Sequence, residues 1–228
     1  MTIGLPVLFT WRWPLRTTDG QTVTDLALWP LAAGVLVGRV VHLLLDDARS
    51  LTRLGDFLII RSGVEFWPGV VAGLAVVARG ARRDQVPVAA RLADIAPAAL
   101  VAQAGYHLTC LFRDGCYGPH WAVGPTPKGL SRGMLPVELL SSGVLVAVAA
   151  TLAVRRLRPL VVILLGIGSV AAVRAVTSIW LPRLGRSLTR QHTTSIFVAV
   201  ACAAILAVVV VNARRVEGTS SATPAPCS

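Results

Sequence analysis

The chain has 228 residues and a formal net charge of +11, from 22 basic and 11 acidic side chains. Hydrophobic residues make up 54%, charged residues only 14%, and mean hydropathy is +0.68; a water-soluble domain carries about 25% charge, so an ordinary soluble enzyme is excluded. A nucleic-acid binder would set its cations on a polar domain, whereas these are almost all arginines lying between long apolar runs, the layout of an integral membrane protein with no nucleic-acid partner.

Residues 1–25 begin MTIGLPVLFTWRWPLR, with Arg12 and Arg16 after the apolar stretch. A cleavable leader has the reverse order, so this segment is expected to stay as a cytoplasmic N-terminus. The first apolar run is Leu26 to Leu45, close to the roughly 20 residues that cross the hydrocarbon as a helix. The second, Phe66 to Ala78, is short and needs neighbouring residues or a thinned bilayer. The third, Leu92 to Phe112, carries Asp94, Gln103 and His107 at or near membrane depth.

Val137 to Val154, Leu160 to Leu181 and Thr193 to Val211 are cleaner runs. Lipid offers no partner to a free backbone N–H or C=O. The expected fold is therefore all-α, a polytopic bundle of about six transmembrane helices forming one domain over 26–212. Gly34 and Gly38 in the first span and Gly166 in the fifth would let helices approach closely. Residues 213–228, rich in Ser, Thr, Pro and Ala, read as a disordered cytoplasmic tail.

Arginines flank the spans in clusters at Arg79, Arg82 and Arg83, at Arg155, Arg156 and Arg158, and at Arg214 and Arg215. With six spans all three clusters share one side, and the positive-inside bias makes that side cytoplasmic. Loops 46–65, 113–136 and 182–192 then face outward. They still carry nine basic residues, read either as headgroup anchors or as part of a site for an anionic phospholipid.

Four cysteines make no disulfide framework. Cys202 is mid-span, Cys227 is in the tail, and Cys110 and Cys116 could bridge on an oxidising side. His107 and His120 lack the regular spacing of a zinc site, and neither a metal nor another cofactor is expected.

Two arginines lie well inside apolar runs, Arg39 in LVGRVVHLL and Arg174 in VAAVRAVTS. Such residues are costly in lipid and point to function by default. They either pair with Asp94 or Glu138, or line a wet cavity that holds a phosphate, which a planar guanidinium fork suits. The polar content of the bundle concentrates between Gly105 and Gly129, GYHLTCLFRDGCYGPHWAVGPTPKG, where glycines and prolines stop the helix. That loop is either a solvated connector or a catalytic mouth at the outer leaflet.

The stretch from Arg79 to Gly118 resembles the middle of the prolipoprotein diacylglyceryl transferase family. Asp94, Ala96 and Pro97 are similar to its D-x-x-A-P opening, spaced here as D-x-A-P, and Tyr117 and Gly118 match the aromatic-Gly close of its G-R-I-G-[NC]-F…G signature. Other pieces follow in family order. Gly38-Arg39 is similar to its G-x-R helix, GVEFWPGVVAG at 63–73 to its G-M-S-F-H-G-G-L-x-G segment, and LPVELL at 135–140 to H-P-x-Q-L-Y. Arg174 falls on R-F-x-x-E, and LTRQHTTS at 188–195 resembles the opening of the last span.

The sequence also departs from that pattern. The family His falls on Trp67, the signature Arg on His107, the Asn or Cys on Cys110 and the Glu of R-F-x-x-E on Ser178. The family's first helix, with its W-Y-G element, has no counterpart in residues 1–25.

The resemblance implies transfer of a diacylglyceryl group from phosphatidylglycerol to the lipobox Cys thiol in the signal peptide of a lipoprotein precursor, at the bacterial plasma membrane. His107 is expected to accept the thiol proton, since the unperturbed imidazole pKa of ~6.5 suits that role, and Arg174, with Arg39 and with Arg113 at the mouth, is expected to hold the phosphate. Arg39, Trp67, Cys110, Arg113, Asp114, Tyr117, Gly118 and Glu138 would bind substrate. A relative that binds phospholipid or precursor without catalysis stays open because of Trp67 and Ser178. A small transporter would be expected to show internal repeats.

Overall fold

A computed structural model describes residues 15–17, 22–46, 63–109, 118–126, 131–180 and 189–220. These form six helices and no strand among the described residues: α1 Val23–Asp46, α2 Phe66–Arg83, α3 Val88–Leu108, α4 Val137–Val154, α5 Pro159–Trp180 and α6 Arg190–Ser220. The all-α bundle expected from the sequence is what forms. Length and apolarity suffice to cross a membrane in four of them, α1, α4, α5 and the Arg190–Ala213 part of α6. The backbone of α6 stays helical past the expected start of the tail, as far as Ser220.

The two others are α2 and α3. Arg79, Arg82 and Arg83 belong to the last turns of α2, so this helix runs past the expected end at Ala78. Arginines there face the negative end of the helix dipole, which favours continuing the helix. The turn to α3 closes on Gln85, whose φ of 58° is left-handed, while Val86 N donates to Ala81 O at 2.9 Å. Glycine is the usual residue at such a helix stop. α3 in turn begins at Val88, four residues before the apolar run, directly after Pro87, whose fixed φ suits a helix entry.

Sequential helices pack as neighbours, α1 on α2, α3 on α4 and α5 on α6, with α3 also touching α2 and α5. The main apolar core lies where α3, α4 and α5 meet: Leu100 and Ala104, Leu145, Ala149 and Leu152, and Val162 and Val173. The α1–α2 pair uses glycines. A Cβ on Gly34 would stand 3.0 Å from Gly69 O, and one on Gly38 would stand 2.6 Å from Glu65 O. Backbones approach this closely only without a side chain between them, the small-residue packing of membrane helices. Gly166 of α5 faces Ala96 of α3 at ordinary contact distance. The remaining apolar faces point outward, with Leu28, Trp29 and Leu31 of α1 and Phe197 and Val200 of α6 all exposed. That is inverted for water and correct for lipid.

Successive helices alternate in direction, which sorts the polar residues to opposite ends of the bundle. One end gathers the C-terminal half of α1, the start of α2, the end of α3, the start of α4, the end of α5 and the start of α6. The other gathers Arg79, Arg82, Arg83, Asp94, Arg155 and Arg156.

Candidate functional site

The site is built at the first of these ends, around residues 63–67, where the chain enters α2. Glu65 N donates to Gly38 O at 3.0 Å, possible because Gly38 leaves room for the incoming backbone. Arg39, 3% exposed, donates from Nη1 to Gly63 O at 3.2 Å. Trp67 is buried and donates from Nε1 to Ser195 Oγ of α6 at 3.0 Å. Its neighbour Phe66 packs edge-on against it and presents a ring face to Arg174, whose Cζ lies 3.9 Å from the ring centroid.

Arg174 also donates from Nη2 to Gln191 Oε1 of α6 at 3.1 Å. Its Nε is buried without a hydrogen-bond partner among the described residues. None of the ion pairs among the described residues includes Arg174, so no described carboxylate lies within 4.0 Å of it. The pairing with Asp94 or Glu138 that the sequence allows is therefore not made at Arg174. Asp94 sits 13 residues before His107 on α3, about 20 Å along the helix axis. It accepts from Arg16 N at 2.7 Å and from the Thr17 N–H and hydroxyl, each at 2.9 Å, at the far end of the bundle.

Glu138 is taken by His107. The carboxylate meets His107 Nδ1, both side chains being nearly buried, and Gln103 lies 3.1 Å from Nε2 on the other side of the ring. With Glu138 ionised, the consistent assignment gives the proton to Nδ1, and Nε2 accepts from the Gln103 amide. A carboxylate that fixes the tautomer in this way leaves a basic nitrogen at Nε2, the division of labour seen in carboxylate–histidine catalytic pairs. Glu138 and Glu65 lie near enough to Arg174 for their charges to act on it without pairing with it, so the imidazole–carboxylate pair and the cation share one region.

Several members of this region are not among the residues expected from the sequence. Gln191, Phe66 and Gln103 contact the expected residues directly. His192, 4% exposed, meets Ser178, the residue at the family's Glu position. Gln191 and His192 precede the last apolar run in LTRQHTTS, and that placement is the available signal. Glu65 is likewise buried, and Arg190 holds it at 2.7 Å while also reaching Asp46 at 2.9 Å. His42 Nδ1 lies 3.0 Å from Asp46 Oδ2. The atoms of His42, Asp46 and Glu65 are close enough to share a cation, but the Arg190 guanidinium already spans the two carboxylates and neutralises them.

Gly118 serves the loop backbone. Its N–H donates to Leu135 O at 2.8 Å, and a Cβ there would stand 2.4 Å from Val137 Cγ2. His120 pairs with Met134 in the same loop through a backbone bridge. Cys110, Arg113, Asp114, Cys116 and Tyr117 lie outside the described residues.

A family model described as prolipoprotein diacylglyceryl transferase matches residues 3–212. The phosphatidylglycerol–prolipoprotein diacylglyceryl transferase of Rhodococcus jostii is 31% identical over 135 residues, covering 56% of this chain and 37% of the relative. Transferase 1 of Streptomyces coelicolor is 31% identical over 129 residues, covering 53% and 38%. The enzyme of Paenarthrobacter aurescens is 33% identical over 109 residues, covering 45% and 34%. The matched stretch thus spans little more than a third of these relatives' length. Because the family match takes in nearly all of the bundle, from before α1 to the C-terminal part of α6, the chain belongs to the prolipoprotein diacylglyceryl transferase family.

Proposed function

We propose that the protein transfers the diacylglyceryl group of phosphatidylglycerol to the lipobox Cys thiol of a lipoprotein precursor. In this reading all six helices cross the bacterial plasma membrane, and the site end faces outward. One observation carries the proposal: Arg174 is a part-buried cation held by an aromatic face and an amide, with no carboxylate among the described residues within 4.0 Å of it. A guanidinium with no directly paired carboxylate in a low-dielectric bundle is a strong attractor for a phosphate.

The chemistry divides among the neighbours. The precursor thiol gives its proton to His107 Nε2 once Gln103 yields its place there, and Glu138 stabilises the imidazolium. The thiolate sulfur bonds to the glyceryl carbon. The bond from that carbon to the phosphate oxygen breaks, its electron pair leaves on the oxygen, and glycerol phosphate departs. Arg174, with Arg39 behind the α2 entry, faces the charge that develops on the leaving group.

A second reading, a relative that binds phospholipid or precursor without catalysis, has one observation in its favour. Trp67, at the family's His position, is a buried packing residue hydrogen-bonded to Ser195. The experiment that separates the two uses the full chain in phosphatidylglycerol-containing nanodiscs with a lipobox peptide. Transfer predicts a diacylglyceryl mass shift on the peptide, lost in His107→Ala and Arg174→Ala. Lipidation unaltered in both variants removes the assignment of these residues, and saturable lipid binding without a thioether product supports the second reading.

A further inference from the structure

The opposite end of the bundle holds cations that the proposed reaction does not use. Arg79, Arg82 and Arg83 occupy one turn of α2, spaced so that all three share a face. All are exposed, and among the described residues none has a carboxylate partner. Like charges at this spacing repel. The adjacent carboxylate, Asp84, is claimed by the buried Arg91 at 2.9 Å, and Asp25 across the gap accepts from Thr22 N and Oγ1, each at 2.8 Å. The cluster is thus left short of an anion by its own neighbours.

Two of them, Arg79 and Arg83, border a cleft of about 530 Å³ between α1 and α2, within the roughly 300–1,000 Å³ range of small-molecule sites. Leu26, Trp29, Leu36 and Val76 line it with Arg79 and Arg83, and its two carboxylates are already engaged, Asp84 by Arg91, which lines it too, and Asp25 by Thr22. The wall continues onto an outward apolar surface, since Trp29 is 72% and Leu36 52% exposed. Arg83 lies about 24 Å along α2 from Trp67, so this cleft is separate from the candidate site. An occupant has to be apolar along its length and anionic at one end, and it has to arrive from the bilayer.

We propose that the α1–α2 cleft binds an anionic phospholipid of the leaflet at the arginine-rich end, an acyl chain lying on Leu26, Trp29, Leu36 and Val76 with its phosphate between Arg79 and Arg83. Guanidinium forks bind phosphate oxygens bidentately, and polybasic membrane edges attract anionic lipid. A choline headgroup would set its own cation among the arginines, so zwitterionic lipid is disfavoured.

The test reconstitutes the full chain in nanodiscs containing a phosphatidylglycerol or a phosphatidylcholine that carries a photoactivatable diazirine in one acyl chain, and maps the crosslinked peptides. The expected result is labelling at residues 26–36 by the phosphatidylglycerol probe. Affinity should fall about thirtyfold in Arg79→Gln/Arg83→Gln, with labelling unchanged in Arg155→Gln/Arg156→Gln and in Arg174→Gln. Ala33→Trp fills the cleft with every arginine in place and should abolish labelling independently. Equal labelling by both lipids, labelling that survives both the arginine pair and Ala33→Trp, or crosslinking of this surface to a second copy of the chain overturns the proposal. Inorganic phosphate added in excess should not displace the lipid; full displacement would assign the arginines to soluble phosphate instead.

Discussion

The guanidinium of Arg174 lies over the ring of Phe66, 3.9 Å from its centroid, and its hydrogen bond goes to the neutral amide of Gln191. A cation inside a bundle is ordinarily retained by an opposite charge, because taking it out of water is costly. Here the aromatic face supplies about 0.5–2 kcal/mol without cancelling the charge.

This arrangement predicts different responses to two substitutions. Arg174→Lys keeps a positive charge but loses the planar fork and its stacking on Phe66, so under the proposed function transfer to a lipobox peptide should fall about a hundredfold. Phe66→Leu keeps the cation and loses the face beneath it, for a loss of a few-fold to about thirtyfold. Steady-state rates in phosphatidylglycerol nanodiscs measure both. A rate for Arg174→Lys equal to that of the parent chain would mean that point charge alone suffices.

His107 and Glu138 are 31 residues apart in sequence and meet across α3 and α4. If the carboxylate acts by holding and charging the imidazole, the two form a unit, and their removal should be non-additive. His107→Ala and Glu138→Ala should each lower the rate by about 10²–10⁴-fold. The double variant should be no slower than the worse single variant within about threefold. A double variant whose losses multiply would show that Glu138 acts on something other than His107.

The extents of these elements are legible where an apolar run has hard edges. Val137 to Val154 is bounded by Pro136 and Arg155, and the helix has those ends; the fifth run is bounded by Pro159 and agrees to one residue. Hydropathy ends the second run at Ala78 because it counts an arginine as a loop residue, whereas in the last turn of a helix an arginine meets exposed carbonyls. The intramembrane arginines are visible as anomalies of composition. Their partners are not, since those depend on which helix ends meet: Asp94 and His107 share a helix yet serve opposite ends of the bundle, and Gln191 reaches Arg174 only because α5 and α6 form a hairpin.

The α1–α2 contact tests whether close backbone approach holds the site entry in place. A Cβ at Gly38 would stand 2.6 Å from Glu65 O and from Val64 Cγ1, with backbone on one side that cannot yield cheaply. Gly38→Ala should destabilise the protein by about 1–3 kcal/mol, read as a lowered unfolding midpoint in detergent. Gly80, also helical, has open space where a methyl group would project, with nothing within 4 Å, so Gly80→Ala should be neutral or stabilising by up to about 1 kcal/mol. A reversed order would refute glycine packing as the basis of the α1–α2 pair.

The α2–α3 turn offers a stabilising change far from the chemistry. Gln85 adopts φ 58°, a conformation in which a side chain crowds the backbone and glycine does not. Gln85→Gly should raise stability by about 0.5–1 kcal/mol despite the greater freedom it gives the unfolded chain. Thermal unfolding in detergent reads the effect, and a loss of stability would mean that the Gln85 side chain contributes more than its backbone conformation costs.

Trp67 and Ser195 join α2 to α6 by a buried hydrogen bond of 3.0 Å. Ser195→Ala strands the indole N–H, a buried donor without an acceptor, and should cost about 1–3 kcal/mol. Trp67→Phe removes the donor itself, while Ser195 keeps its bond to Gln191 O at 2.7 Å. In a Trp67→Phe background, Ser195→Ala should therefore cost less than it does in the parent chain, with a coupling of about 0.5–3 kcal/mol. A coupling near zero would show that the two residues stabilise the helix pair independently. Trp67→His restores the residue type of the family's motif at the same place and extends the comparison to function. Transfer that rises in this variant would mark Trp67 as limiting the proposed reaction, transfer that falls would mark it as part of a working site, and unchanged transfer would show that the reaction does not depend on this side chain.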